Sequence, residues 1–170
     1  MKKNLRYVKT VMLLLTTCLA PMITKAQLTA GGEVFIPILL ESGAGAGLNV
    51  YGEVPVHGKY ILIGHVGYSR LFPLKQQPNA LMEMSPLQIG LRYMVTPSVY
   101  FQALTGAYYQ HFRASFFHLE KEGEGDVFSF GIGAGVLLKQ RIDLGIRIQI
   151  ADKVSHFSCG AGYRFWIREK

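Results

Sequence analysis

Apolar and polar side chains alternate without a break through QRIDLGIRIQI (140–150). Ile142, Leu144, Ile146, Ile148 and Ile150 fall on one side, and Arg141, Asp143, Gly145, Arg147 and Gln149 on the other. A period of two is the signature of a strand whose faces meet different surroundings. PLQIGLRYMV (86–95) repeats the split: Leu87, Ile89, Leu91, Tyr93 and Val95 oppose Gln88, Gly90, Arg92 and Met94. HFSCGAGYRFWI (156–167) does so again, with Phe157, Cys159, Ala161, Tyr163, Phe165 and Ile167 against His156, Ser158, Gly160, Gly162, Arg164 and Trp166. Fainter alternation runs over 28–38, 44–54, 59–69, 99–109 and 126–138. The pattern predicts an all-β chain of about eight strands, with no apolar run after the leader long enough for the ~20 residues of a membrane helix.

The run FGIGAGV (130–136) invites comparison with a phosphate-binding loop. Gly131, Gly133 and Gly135 keep a strict period of two and lead into another alternating segment. A dinucleotide-binding turn needs GxGxxG followed by a helix, so these glycines read as one face of a strand.

The orientation of the oily face separates two architectures. A soluble barrel turns it inward around a ligand, whereas a membrane barrel turns it to lipid. Here the polar face carries many glycines and a few charges, which suits a narrow filled lumen better than a water-facing surface. The expected fold is a closed antiparallel transmembrane β-barrel of about eight strands, an up-and-down meander. A secreted lipocalin-like ligand-binding barrel is the alternative.

Three outward aromatic pairs lie eight residues apart on their strands: Tyr60 and Tyr68, Phe101 and Tyr109, Phe157 and Phe165. That spacing is about 26 Å along a strand. With a tilt near 40° it projects to about 20 Å, close to the separation of two aromatic girdles. Connections alternate too. EVPVHGK (53–59), VTPSV (95–99) and LKQRI (138–142) read as short turns, and 69–84 and 110–126 as long loops. Short periplasmic turns and longer external loops are the barrel pattern.

The net charge of +7 changes the picture little. Lys2, Lys3, Arg6, Lys9 and Lys25 sit in the first 26 residues, and without them thirteen basic side chains face eleven acidic ones. No nucleic-acid partner is expected. The segment 1–26 reads as a secretory signal peptide with an apolar run from Val11 to Ala20, and Thr24 and Ala26 before the cut, which leaves 27–170 as the barrel domain. LTTC (15–18) is an alternative lipoprotein signal on Cys18. Only Cys159 remains in the mature chain, so no internal disulfide can form. Neither CxxC nor HExxH occurs, and His57, His65, His111, His118 and His156 are scattered. No metal or cofactor is expected.

Through GAGLNVYGEVPV (45–56), GLRYMVTPSVYF (90–101) and the final GAGYRFW (160–166), the chain resembles the small outer-membrane β-barrel proteins of Gram-negative bacteria, the OmpA-type and OmpX-type transmembrane barrels. The resemblance implies a bacterial outer-membrane location, lipid and lipopolysaccharide as surroundings, insertion by the outer-membrane assembly machinery, and a monomer without cofactor. Functions in this group range over adhesion, envelope integrity and lipid modification, and fold does not choose among them.

Three constellations are candidates for function. Glu33, Glu53, Arg92, Arg141, Asp143, Arg147 and Arg164 occupy inward positions, where charges must pair; they predict a plugged lumen. Phe116, Phe117 and Leu119, with Leu71 and Phe72, are candidates for external-loop contacts to a partner, the basis for a structural, adhesive or partner-binding role. His156 and Ser158 form a His-x-Ser pair of the kind that some outer-membrane barrels use to deacylate lipid A. Both point inward in this register, and Glu169 lies more than about 30 Å beyond along an extended strand. The chain is therefore expected not to be an enzyme, with a lipid A-modifying, deacylase-like barrel enzyme as the alternative.

Overall fold

The computed structural model describes residues 26–38, 43–72, 80–116, 119–151 and 155–166. Among them every regular element is a strand: β1 (Gln27–Pro37), β2 (Ala44–His57), β3 (Tyr60–Phe72), β4 (Ala80–Met94), β5 (Val99–Phe116), β6 (Leu119–Leu138), β7 (Ile142–Ala151) and β8 (His156–Trp166). Each pairs antiparallel with the next, and β1 closes on β8 from Gln27↔Trp166 to Pro37↔His156. Closure satisfies backbone N–H and C=O groups between strands, the condition for crossing a bilayer with strands. The signal-peptide segment lies outside the described residues, apart from Ala26.

The dyad pattern maps onto the wall as expected for a membrane barrel. Along β7 the isoleucines and Leu144 are exposed on the outside, while Asp143, Arg147 and Gln149 are buried inside. In β6, Phe128, Phe130 and Ile132 face out and Ser129 is fully buried. The apolar face is the outer one, opposite to the lipocalin-like arrangement. The six expected girdle aromatics all lie on it, from Phe157 at 40% to Phe101 at 58% exposure. Tyr60, Tyr93 and Phe101 share one lateral row through the ladders β3–β4–β5.

One end of the barrel carries the tight turns 58–59, 95–98 and 139–141 together with both chain ends of the sheet, and is called the turn end here. Lys139 and Gln140 adopt φ of 50° and 60°, and Arg141 N–H donates to the Leu138 carbonyl at 3.1 Å. Positive φ at both Lys139 and Gln140 reverses the chain within the three-residue connection between the paired Leu138 and Ile142, without a glycine.

The opposite end departs from expectation. Residues 110–126 do not form a long loop: β5 and β6 stay paired to Phe116↔Leu119. The β6–β7 ladder stops at Ser129↔Ala151, whereas β4 follows β5 up to Ala80↔Ala114. Among the described residues, 119–128 of β6 are therefore paired on one side only, with β5, as part of a ribbon that runs past the last rung of the β6–β7 ladder. Phe116 and Leu119 are ribbon residues, and Phe117 lies outside the described residues. The link 69–84 is likewise mostly strand, and Leu71 is not an external contact. It points inward at 6% exposure, because its odd position in β3 continues the face of Ile63, His65 and Ser69. Phe72 is exposed on the outer face.

Candidate functional site: the filled lumen

Inward side chains from all eight strands occupy the lumen in three layers. Nearest the turn end, Glu53 on β2 is the hub. Its Oε1 accepts from Arg92 at 2.9 Å and its Oε2 from Arg164 at 2.6 Å, while Thr29 adds a bond at 3.2 Å. Arg92 also reaches Asp143 Oδ2 at 3.0 Å and Gln102 at 3.1 Å, and its guanidinium lies 3.8 Å over the Tyr100 ring. The Tyr100 hydroxyl donates to Asp143 Oδ1 at 2.5 Å. Both Arg92 and Glu53 are 1% exposed. Charges so deep are tolerable only when paired; both guanidinium groups are paired through Nη atoms, while Arg92 Nε and Arg164 Nε have no hydrogen-bond partner among the described residues.

The middle layer turns on Arg147, which donates to Glu33 Oε2 at 2.6 Å and to the Tyr51 hydroxyl at 3.1 Å. Tyr51 stacks on His65, with ring centroids 4.5 Å apart. His65 contacts Gln88 Oε1 and Asn49 Oδ1, each at 2.9 Å, and Gln88 Nε2 donates onward to Ser129 at 2.9 Å. The third layer, at the ribbon end, is mainly apolar: Phe35, Leu71, Met82, Met84 and Tyr108 form one buried cluster. His156 packs beside it, 4.9 Å from the Phe35 ring and 6.1 Å from Tyr108.

Glycines make this filling possible. A Cβ on Gly45 would lie 2.0 Å from the Phe35 ring, and one on Gly135 would lie 2.3 Å from the Tyr100 hydroxyl. The bare wall at those points is where the large inward rings fit. Among the described residues the polar layers hold a cavity of about 50 Å³ bordered by Thr29, Glu33, Arg92, Tyr100 and Asp143. This suits a closed interior and not a water-filled pore.

The structure brings Glu33, Glu53, Arg92, Asp143, Arg147 and Arg164 together in this network. Arg141 does not belong to it. It is exposed in the β6–β7 turn, with Nη1 3.5 Å from the Tyr163 hydroxyl, because strict alternation ends where the chain reverses. The inward set drawn from charges alone left out Tyr51, His65, Gln88, Tyr100 and Ser129, although parity was a signal: Tyr51 and Gln88 share it with Glu53 and Arg92, and the other three oppose the outward aromatics of their strands. His156 and Ser158 are both lumen residues at 1% and 2% exposure. A serine there is walled off from the lipid on which a deacylase would act. Among the described residues, no group of His, Cys, Asp or Glu is arranged to hold a metal ion.

No protein-family model matches the chain, and no curated protein does. Solved structures match along its length. Ail, the attachment invasion locus protein of Yersinia pestis, superposes with a TM-score of 0.61 at 16% identity, over 84% of this chain and 99% of that one. The N-terminal β-barrel domain of Pseudomonas aeruginosa OprF gives 0.60 at 10% identity, over 84% and 98%. The outer membrane protein OprG of the same organism gives 0.52 at 12% identity, over 84% and 97%. At such identities the likeness concerns architecture alone. The chain thus has the fold of the small eight-stranded outer-membrane β-barrels.

Proposed function

We propose that this protein resides in a bacterial outer membrane, akin to the OmpA-type and OmpX-type barrels, and acts as a non-enzymatic binding or adhesive element. Its lumen serves as a sealed support, and the ribbon at the far end carries the contacts. In this orientation the turn end faces the periplasm and the ribbon faces outward.

The observation that carries this reading is that, among the described residues, 119–128 pair on one side only. A strand edge with unpaired N–H and C=O groups is a template for a partner's strand, and natural proteins normally cover or blunt it. Here the edge is long and held clear of the barrel. Its chemistry also constrains the partner. Glu120, Glu122, Glu124 and Asp126 occupy alternate positions of β6, with Lys121 the one cation of the run. Ail has been solved in complex with sucrose octasulfate, a heparin analogue. An acidic ribbon favours a basic partner over such a polyanion.

The test compares cells displaying the whole protein with cells displaying a variant whose residues 111–124 are replaced by a two-residue Asn-Gly turn joining the paired Gln110 and Gly125. Retention on polylysine-coated, albumin-coated and heparin-coated surfaces is measured. The expected result is ribbon-dependent retention on the cationic surface only. Equal retention of both strains on every surface would remove the binding role.

A further inference from the structure

We infer that the lipid-facing wall holds one phospholipid of the inner leaflet, with its acyl chain in a diagonal groove and its anionic headgroup on a basic rim at the turn end. This rests on the outer-membrane orientation proposed above.

The groove is an apolar recess of about 530 Å³ on the outside of the barrel. Its floor is set by Ala103 and Ala134, two small residues where the wall around them carries leucine, isoleucine and aromatic side chains. Two lateral rows border it. One runs Tyr93↔Phe101↔Ala134↔Ile146, the other Leu91↔Ala103↔Ile132↔Ile148↔Phe157. Because barrel strands tilt by roughly 35–45°, a lateral row climbs diagonally through the membrane. The recess therefore starts at the turn-end rim and rises into the apolar band, the path of a flexible hydrocarbon chain.

The rim supplies the complement for a phosphate. Tyr60 and Tyr93 face each other there with centroids 5.2 Å apart, and Lys59 Nζ stands 5.9 Å from the Tyr93 ring. Lys59 also donates to the Val95 carbonyl at 3.3 Å, and Gln140 Nε2 donates to the Pro97 carbonyl at 3.4 Å. These bonds lay the turns 58–59, 95–98 and 139–141 side by side. Together they present Lys59, Lys139 and Arg141, and their sequences contain no acid. Each cation near an anionic surface contributes enough to change occupancy about fivefold. A second copy of the chain fits less well, since two such rims would repel.

The full protein is folded into bilayers of equal parts phosphatidylglycerol and phosphatidylcholine, released into mild detergent, and weighed with its retained lipid by native mass spectrometry. The wild type is expected to retain one phosphatidylglycerol in about fivefold preference or more. Lys59→Gln combined with Lys139→Gln and Arg141→Gln should bring the ratio towards that of the bilayer while lipid is still retained. Ala103→Leu with Ala134→Leu should lower retention of both lipids. Heat-dependent gel mobility reports that each variant is folded. A bound ratio equal to that of the bilayer in wild type overturns the inference, as does a lipid-free dimer. A wild-type chain that never enters bilayers overturns the outer-membrane reading itself, and this inference with it.

Discussion

Arg164 donates to Glu53 at 2.6 Å across β1, joining strands whose paired residues are 111 positions apart in the chain. The other Glu53 oxygen holds Arg92. Replacing Glu53 by Leu strands the buried Arg164 guanidinium and leaves Arg92 with Asp143 as its one carboxylate, and should cost about 3–5 kcal/mol. Glu53→Gln together with Arg164→Met should recover part of that loss, since it removes the charge left unpaired while Arg92 keeps Asp143. Urea unfolding from lipid vesicles measures both; a Glu53→Leu protein as stable as wild type would contradict the hub role.

Sealing of the lumen is redundant, because an apolar layer stands above two polar ones. Met84→Ala should cost about 2–5 kcal/mol as a buried truncation. It should nevertheless leave planar bilayers without steady conductance, because the Glu53 and Glu33 networks remain. Single-channel recording decides this, and persistent open currents in the variant would assign the seal to the apolar cap alone.

Gly45 exists to admit Phe35. Gly45→Ala places a methyl group against that ring and should destabilise by about 1–3 kcal/mol. In a Phe35→Leu background the same change should cost much less. The coupling in this double-mutant cycle is the readout, and additive losses would mean that some other contact is responsible.

The β6–β7 turn places a non-glycine residue, Gln140, at φ of 60°. Left-handed backbone costs an ordinary residue about 1–2 kcal/mol, against about 0.5–1 kcal/mol of chain entropy for glycine. Gln140→Gly should therefore raise stability by up to about 1 kcal/mol in the same unfolding assay. A loss would show that the Gln140 bond to Pro97 outweighs the backbone gain.

Cys159 is exposed on the lipid side of β8, between Val34 and Ile146. A lipophilic maleimide should label it in folded protein, while a charged, membrane-impermeant one should do so only after unfolding. Rapid labelling by the charged reagent would place this face in water.

The legibility of the sequence followed the surroundings of each residue. Where one face meets lipid and the other a packed lumen, as in β7 and β8, alternation gave strands, faces and the inward charges directly. Past the last rung of the β6–β7 ladder the contrast disappears, where 111–116 and 119–126 belong to the ribbon. That stretch therefore read as a loop although its backbone is paired. Parity also failed at a reversal: Arg141 keeps the phase of Asp143 on paper, but the turn takes it out of the wall. Leu71 erred in the opposite sense, because nearness to a link suggested exposure while its parity put it inside. The partners of each lumen charge were not readable at all. Thr29 on β1 meets Glu53 on β2, while Gln102 and Tyr100 on β5 meet Arg92 on β4 and Asp143 on β7, and period two says nothing about which rung meets which.

The described lumen sets Glu33, Glu53 and Asp143 against Arg92, Arg147 and Arg164, so its fixed charges cancel. An electric potential does work on net charge, about 2.3 kcal/mol per elementary charge for each 100 mV. A neutral plug gives a field no net force with which to drive it out as a unit. Shifts in the electrical state of the envelope should therefore leave this barrel shut at either polarity, as an insulator whose opening voltage alone does not trigger.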